Sequence, residues 1–280
     1  MNLKFHIIPS GIRLLSFVIC LLCITGLNAQ KFGASIEFGH QFGINGLKNN
    51  DLPFRSEKKY SLASGISRQL MLHIYPDSSN WYVSAGFNHL GGNPVVTGLI
   101  RDTGTYYRAA TATLNSLRFI TRISYVTAVR TFKVNVSAGV ILPLLSSAQE
   151  QYDVRDSSGE SVTILKVKHY PSFGFNGSVG LSTSVTSGIR FFLNADVNIL
   201  HHSVKSRKVD SYSGTKGLSI EEVYPDVASR ETVYHKDVTE IRNNRDVLPA
   251  RFNKNQATDR LAYRVSDNSI SIQAGFLFLF

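Results

Sequence analysis

Among the 280 residues, the side chains best suited to bond-making chemistry are His201, His202, Asp210 and Ser211, followed by His235 and Asp237. A hydroxyl, an imidazole and a carboxylate in mutual contact would support acyl transfer or hydrolysis. Their spacing follows no catalytic rule. The sequence has no Gly-x-Ser-x-Gly elbow, no His-Glu-x-x-His, no phosphate loop and no paired-cysteine zinc motif. His201 and His202 are adjacent, so on a strand one points in and the other out, and they cannot hold one metal together. The expectation is a chain with no catalytic, cofactor-binding or metal-ligating residues.

A second charged set consists of Glu37, Arg118, Arg122, Lys133, Arg190 and Asp196. All six fall on the polar side of segments in which apolar residues recur at every second position, the mark of a strand with two unlike faces. Lys31–Phe42 sets Phe32, Ala34, Ile36 and Phe38 against Gly33, Ser35 and Glu37, and a segment around residues 60–75 sets Leu70, Leu72 and Ile74 against Gln69 and His73. The same alternation returns at about 81–90, 113–126, 131–145, 173–182, 190–199 and 269–280, making eight segments.

The connections alternate in length. Residues 43–58, 91–112, 147–170 and 203–262 are long; 76–80, 127–130 and 185–189 are short. Short and long never exchange places. An up-and-down barrel with both termini on one side has this order, with short periplasmic turns and long extracellular loops. The fold expected is therefore an all-β, transmembrane, up-and-down antiparallel β-barrel of eight strands. Within the last long loop, Leu218–Pro225 and Glu231–Val238 have the composition of short hairpin strands, the alternative being a mobile loop.

Period two alone does not say which face is outside. The polar face is rich in Gly and Ser with few charges, which suits a narrow hydrogen-bonded interior better than a water-facing surface. The apolar residues nearest the short-turn end are repeatedly aromatic: Phe32, Trp81, Tyr125, Phe132, Phe191 and Phe280 would form a girdle at a membrane interface. Arg68 falls on the apolar face, where mid-bilayer placement would cost about 2–4 kcal/mol; counting from Pro76 puts it near the outer interface instead. The chain closes on Phe276-Leu-Phe278-Leu-Phe280, similar to the terminal aromatic signal by which outer-membrane barrels are recognised by their assembly machinery.

In so narrow a lumen the six inward charges should pair, because an unpaired buried charge is very costly. They would form a polar plug; the alternative is an ion path gated by those pairs.

Residues 1–29 have a charged start (Lys4, Arg13), an apolar stretch Leu14–Ile24 and the exit Gly-Leu-Asn-Ala29, the layout of a secretory signal peptide cleaved after Ala29. The apolar stretch is too short for a membrane-spanning helix, which needs about 18 or more residues. Cys20 and Cys23 both fall inside it, so residues 30–280 contain no thiol for a disulfide or metal. Neither cysteine follows the small residue that a lipoprotein signal would need.

Residues 115–125, Asn-Ser-Leu-Arg-Phe-Ile-Thr-Arg-Ile-Ser-Tyr, and 132–142, Phe-Lys-Val-Asn-Val-Ser-Ala-Gly-Val-Ile-Leu, resemble the middle of the PorT-like outer-membrane barrel family. The family's "YLEIP"-like first stretch lacks its Glu and Pro here. The resemblance implies an outer-membrane barrel of the same architecture in a Gram-negative envelope. With 30 Lys and Arg against 20 Asp and Glu the chain is basic. Export and scattered cations argue against nucleic acid and for membrane lipid and polyanionic lipopolysaccharide as partners. The function expected is structural or surface-binding through the long loops, with a narrow pore and a surface enzyme as alternatives.

Overall fold

The computed structural model describes residues 29–44, 61–76, 80–101, 107–157 and 159–280. Residues 1–28 of the expected signal peptide and residues 45–58 of the first long connection lie outside the described residues. Thirteen strands form among the described residues, namely β1 Ala29–Gly43, β2 Gly65–Pro76, β3 Trp81–Gly92, β4 Val95–Arg101, β5 Tyr107–Val129, β6 Phe132–Asp156, β7 Gly159–His169, β8 Gly174–Ser184, β9 Ile189–Gly214, β10 Glu231–His235, β11 Thr258–Leu261, β12 Arg264–Ser266 and β13 Ser269–Leu279. Eight of them, β1, β2, β3, β5, β6, β8, β9 and β13, are hydrogen-bonded in that order into an antiparallel ring that β13 closes onto β1. No edge remains in the ring, as a wall in hydrocarbon requires.

The two faces of this ring are solvated oppositely. Phe38, Leu72 and Phe175 stand outside at 58%, 64% and 57% exposure, while Glu37, Gln69 and Asn176 on neighbouring inward positions are at most 3% exposed. An apolar exterior around a polar interior is stable in lipid and not in water, so the ring is a transmembrane barrel. Phe32, Trp81, Tyr125, Phe132, Phe191 and Phe280 are all outward and exposed. The rings of Trp81 and Tyr125 lie 5.0 Å apart, and those of Phe191 and Phe276 5.6 Å. Phe276 is likewise outward, and Phe278 pairs with Ala34 at the closing seam.

Arg68 is exposed on the outer wall between Phe38 and His89. It lies eight residues from Pro76 along β2, about 20 Å of height on a strand tilted ~40° with a rise of ~3.4 Å per residue. That is near the upper limit of an apolar band about 25 Å tall.

Three of the four long connections differ from expectation. β5, β6 and β9 run for 23, 25 and 26 residues, more than twice the 9–11 or so that a bilayer crossing needs. Residues 147–170 are not a loop. They are the upper half of β6, a tight turn, and β7, which pairs with both β6 and β9. β7 and β8 amount to one strand interrupted at residues 170–173, where Pro171 has no N–H to give to the ladder. Within 91–112, β4 pairs with the start of β5. Residues 203–262 begin as the continuation of β9.

Leu218–Pro225 does not form a strand. Ser219 caps a one-turn helix, α1 (Ile220–Val223), in a reciprocal box with Glu222, and a second short helix, α2 (Val227–Arg230), follows. Of the second stretch, Glu231–His235 is β10, antiparallel to β9 and parallel to β11. Asn243 organises the residues beyond it: its side-chain amide donates to the carbonyls of Asn253, Gln256 and Ala257.

Candidate functional site

Inward positions of neighbouring strands meet at successive heights, so the lumen is a stack of layers. In the lowest buried layer the charged residues are Arg122, Asp196 and Glu37. Arg122 pairs with Asp196 at 3.3 Å and donates from Nε to Asn176 Oδ1. Asn176 in turn donates to Asn198 Oδ1 at 2.7 Å. Glu37 accepts from Ser35 Oγ at 3.2 Å and from Asn194 Nδ2 at 3.4 Å, so hydrogen bonds rather than a direct ion pair satisfy it.

The next inward positions are apolar. Met71, Ile120, Ile141 and Leu200, each at most 2% exposed, pack together across the lumen. Two glycines make room. A Cβ on Gly86 would come within 2.7 Å of Met71 Cα, and one on Gly139 within 2.9 Å of Arg122 Cγ.

Above this seal lies a second polar layer. Arg118 donates to both oxygens of Asp267 at 2.8 Å, and to Gln41 Oε1 at 3.4 Å. His202 Nε2 is 3.0 Å from Asp267 Oδ2, and its Nδ1 is 3.2 Å from Ser172 Oγ. The ring of His169 packs 4.9 Å from that of His202. A fourth layer, again apolar, caps the stack: Leu62, Leu114, Val167, Val204, Tyr234 and Val265 form its core.

Burial holds the His169 imidazole at a pKa of about 3, well below its usual 6.5, with repulsion from His202 adding and attraction to Asp267 opposing. The unfolded chain therefore binds a proton that the folded chain refuses between about pH 3 and pH 6.5. Stability is whole above 6.5 and falls as the pH drops below it. Acidification from pH 7 to 5 is expected to cost about 2 kcal/mol through this residue. Urea midpoints at the two pH values should converge in His169→Gln; an unchanged gap in that variant contradicts the assignment.

The residues singled out by sequence part company. Four of the six charges lie in the lumen wall, buried. Arg118, however, takes its carboxylate from Asp267, outside the predicted set. Lys133 and Arg190 line the short-turn mouth with Lys31 and have no ion-pair partner among the described residues. Pairing fails there because the mouth is wet, and water solvates a cation without a counter-ion.

The rim candidates do not converge. Asp210 pairs with Lys166 at 2.6 Å, Ser211 sits in β9 opposite Ile164, and Asp237 caps a turn by accepting from Thr239 N–H at 2.9 Å. His235 lies between Asp259 at 3.0 Å and Glu240 at 3.4 Å. Partial burial raises the Asp259 pKa, but the His235 hydrogen bond and the N–H groups of Arg242 and Asn243 outweigh that and hold the carboxyl below its usual value. His202 is buried and His201 is half-buried.

One hydroxyl–imidazole–carboxylate row does exist, Ser172–His202–Asp267, and sequence spacing gave no sign of Ser172 or Asp267. Its carboxylate is already paired with the Arg118 guanidinium, whose Nη2 donates to both oxygens, and this offsets the charge that would stabilise an imidazolium. The row is better suited to locking the lumen than to activating Ser172.

No family model matches the chain, and no curated protein matches it. Three solved structures are similar over most of their length. Neisserial surface protein A (NspA) is 10% identical over 88% of this chain and 96% of its own, with a TM-score of 0.38. Ail, the attachment invasion locus protein of Yersinia pestis, is 7% identical over 89% and 98%, with a TM-score of 0.34. The outer membrane protease OmpT of Escherichia coli is 10% identical over 90% and 97%, with a TM-score of 0.34. The barrel is given by the chain's own strand pairing.

Proposed function

We propose that this chain is a closed, non-catalytic barrel of a Gram-negative outer membrane, exported by residues 1–29 and inserted by the barrel assembly machinery. In this reading Phe276, Phe278 and Phe280 are the assembly signal. The long-loop end is then extracellular, and the barrel is a platform that carries a tall β-wall to a surface partner. The succession of strands over 31–280 supports placing it near the PorT-like family.

The observation that carries the reading is the double apolar seal. Met71, Ile120, Ile141 and Leu200 pack together at one height, the Leu62–Val265 cluster packs above them, and each layer supports a closed lumen. An ion crossing either would be stripped of water with no polar group to replace it. Polyanionic lipopolysaccharide is the proposed surface partner. Between residues 236 and 264 the exposed cations Lys236, Arg242, Arg245, Arg251, Lys254, Arg260 and Arg264 outnumber the exposed acids Asp237, Glu240 and Asp246.

Purified protein that shows heat-modifiable migration is expected to give no discrete current steps in planar bilayers at 1 M salt (about the upper end of ordinary screening conditions). Discrete salt-dependent steps would sink the closed-lumen reading in favour of a narrow pore. Hydrolysis of lipid esters lost in both Ser172→Ala and His202→Ala would sink the non-catalytic one.

A further inference from the structure

The short-turn half of the lumen holds a cavity of about 460 Å³, below the Met71–Leu200 seal and open toward the turns. We propose that it is a binding site for a small organic anion carrying a hydroxylated ring, of the acidic-sugar or sugar-phosphate class, entering from the short-turn side.

Three features of the lining point to that chemistry. Lys31, Lys133 and Arg190 share the mouth, with no ion-pair partner among the described residues. Glu37, the one carboxylate among the described residues that line the cavity, accepts from Ser35 and Asn194. The mouth therefore has a positive potential unspent within the protein, as an anion site requires.

One wall is aromatic. The Tyr75 and Tyr82 rings lie 4.8 Å apart, and His73 meets Tyr82 edge-on at 5.6 Å. Such a wall offers faces to the C–H side of a sugar ring. The opposite wall carries hydroxyls and an amide, from Ser137, Ser178, Ser182 and Asn194. The volume falls within the range of about 300–1,000 Å³ of small-molecule sites.

The seal above makes this a dead-end site: a ligand enters and leaves by the same mouth. The inference is independent of the surface-binding reading, since conductance tests the seal and affinity tests the cavity.

The test is titration calorimetry on the full barrel in detergent with glucuronate, glucose 6-phosphate and glucose. Both anions are expected to bind, at least about tenfold more tightly than glucose, a step of ~1.4 kcal/mol, and the tighter of the two identifies the ligand class. Lys133→Gln combined with Arg190→Gln should weaken both anions by about tenfold or more, while Lys236→Gln, at the other end, should change nothing. Heat-modifiable migration verifies folding of each variant. If the double variant does not fold, Lys31→Gln replaces it, with a weakening of about fivefold expected. Binding of neither anion, equal binding of glucose and glucuronate, or undiminished affinity in the mouth variants overturns the proposal.

Discussion

Asp267→Ala is expected to destabilise the barrel by about 3–5 kcal/mol, the cost of breaking a buried ion pair and leaving one charge behind. Arg118 and Asp267 are 1% and 0% exposed, so water cannot take over the guanidinium's lost contacts. The same substitution takes from His202 Nε2 its partner in the row that ends at Ser172. The measurement is the temperature at which detergent-solubilised protein changes from the compact to the unfolded electrophoretic form. Removing both charges should be far milder. Arg118→Met with Asp267→Leu replaces the pair by side chains able to extend the neighbouring apolar layer, and double replacements of this kind are often neutral or stabilising. A double variant as unstable as Asp267→Ala would show that the layer needs the charges themselves. Asp267→Ala at wild-type stability would show that the pair contributes nothing to closure.

Leu72→Arg tests the outside of the wall. Leu72 stands 64% exposed on the lipid side of β2, between Ala34 and Ala85, four residues nearer the short turn than Arg68. A cation at that depth should cost about 2–4 kcal/mol, falling to about 0–1 near an interface. The same change at Leu261, exposed on β11 in the long-loop region, should stay within about 0.5 kcal/mol, as surface substitutions generally do. Urea unfolding of lipid-reconstituted protein reads both. Equal, small effects at the two positions would mean that water rather than hydrocarbon bathes the Leu72 face, and the membrane reading would fall with it.

These predictions differ in how much of their basis can be read from sequence. That Leu72 faces lipid follows from alternation along β2, with Met71 and His73 facing the other way. Each strand of the ring has lipid on one side and a packed interior on the other, so every second residue is constrained and the pattern is written locally. The partner of Arg118 is another matter. Asp267 is 149 residues away, just ahead of β13, where no alternation marks it. It reaches Arg118 only because the strands are staggered around a closed ring and β12 and β13 both lie against β9.

The upper wall was hidden for a related reason. Above the membrane both faces of a strand can meet water, and the two-solvent constraint lapses. Residues 147–156, Ser-Ala-Gln-Glu-Gln-Tyr-Asp-Val-Arg-Asp, are polar enough to pass for a loop, yet all belong to β6. They are held by pairing with β5 on one side and β7 on the other.

The sequence by itself determined the number of ring strands, their facing and the order of short and long connections, because those follow from a backbone period of two and from the contrast between lipid and lumen. Only the tertiary structure decided which charges meet, where apolar layers pack in the lumen, and that a polar cavity with a cationic mouth lies beneath them. Those depend on stagger between strands distant in the chain, a quantity no local pattern encodes.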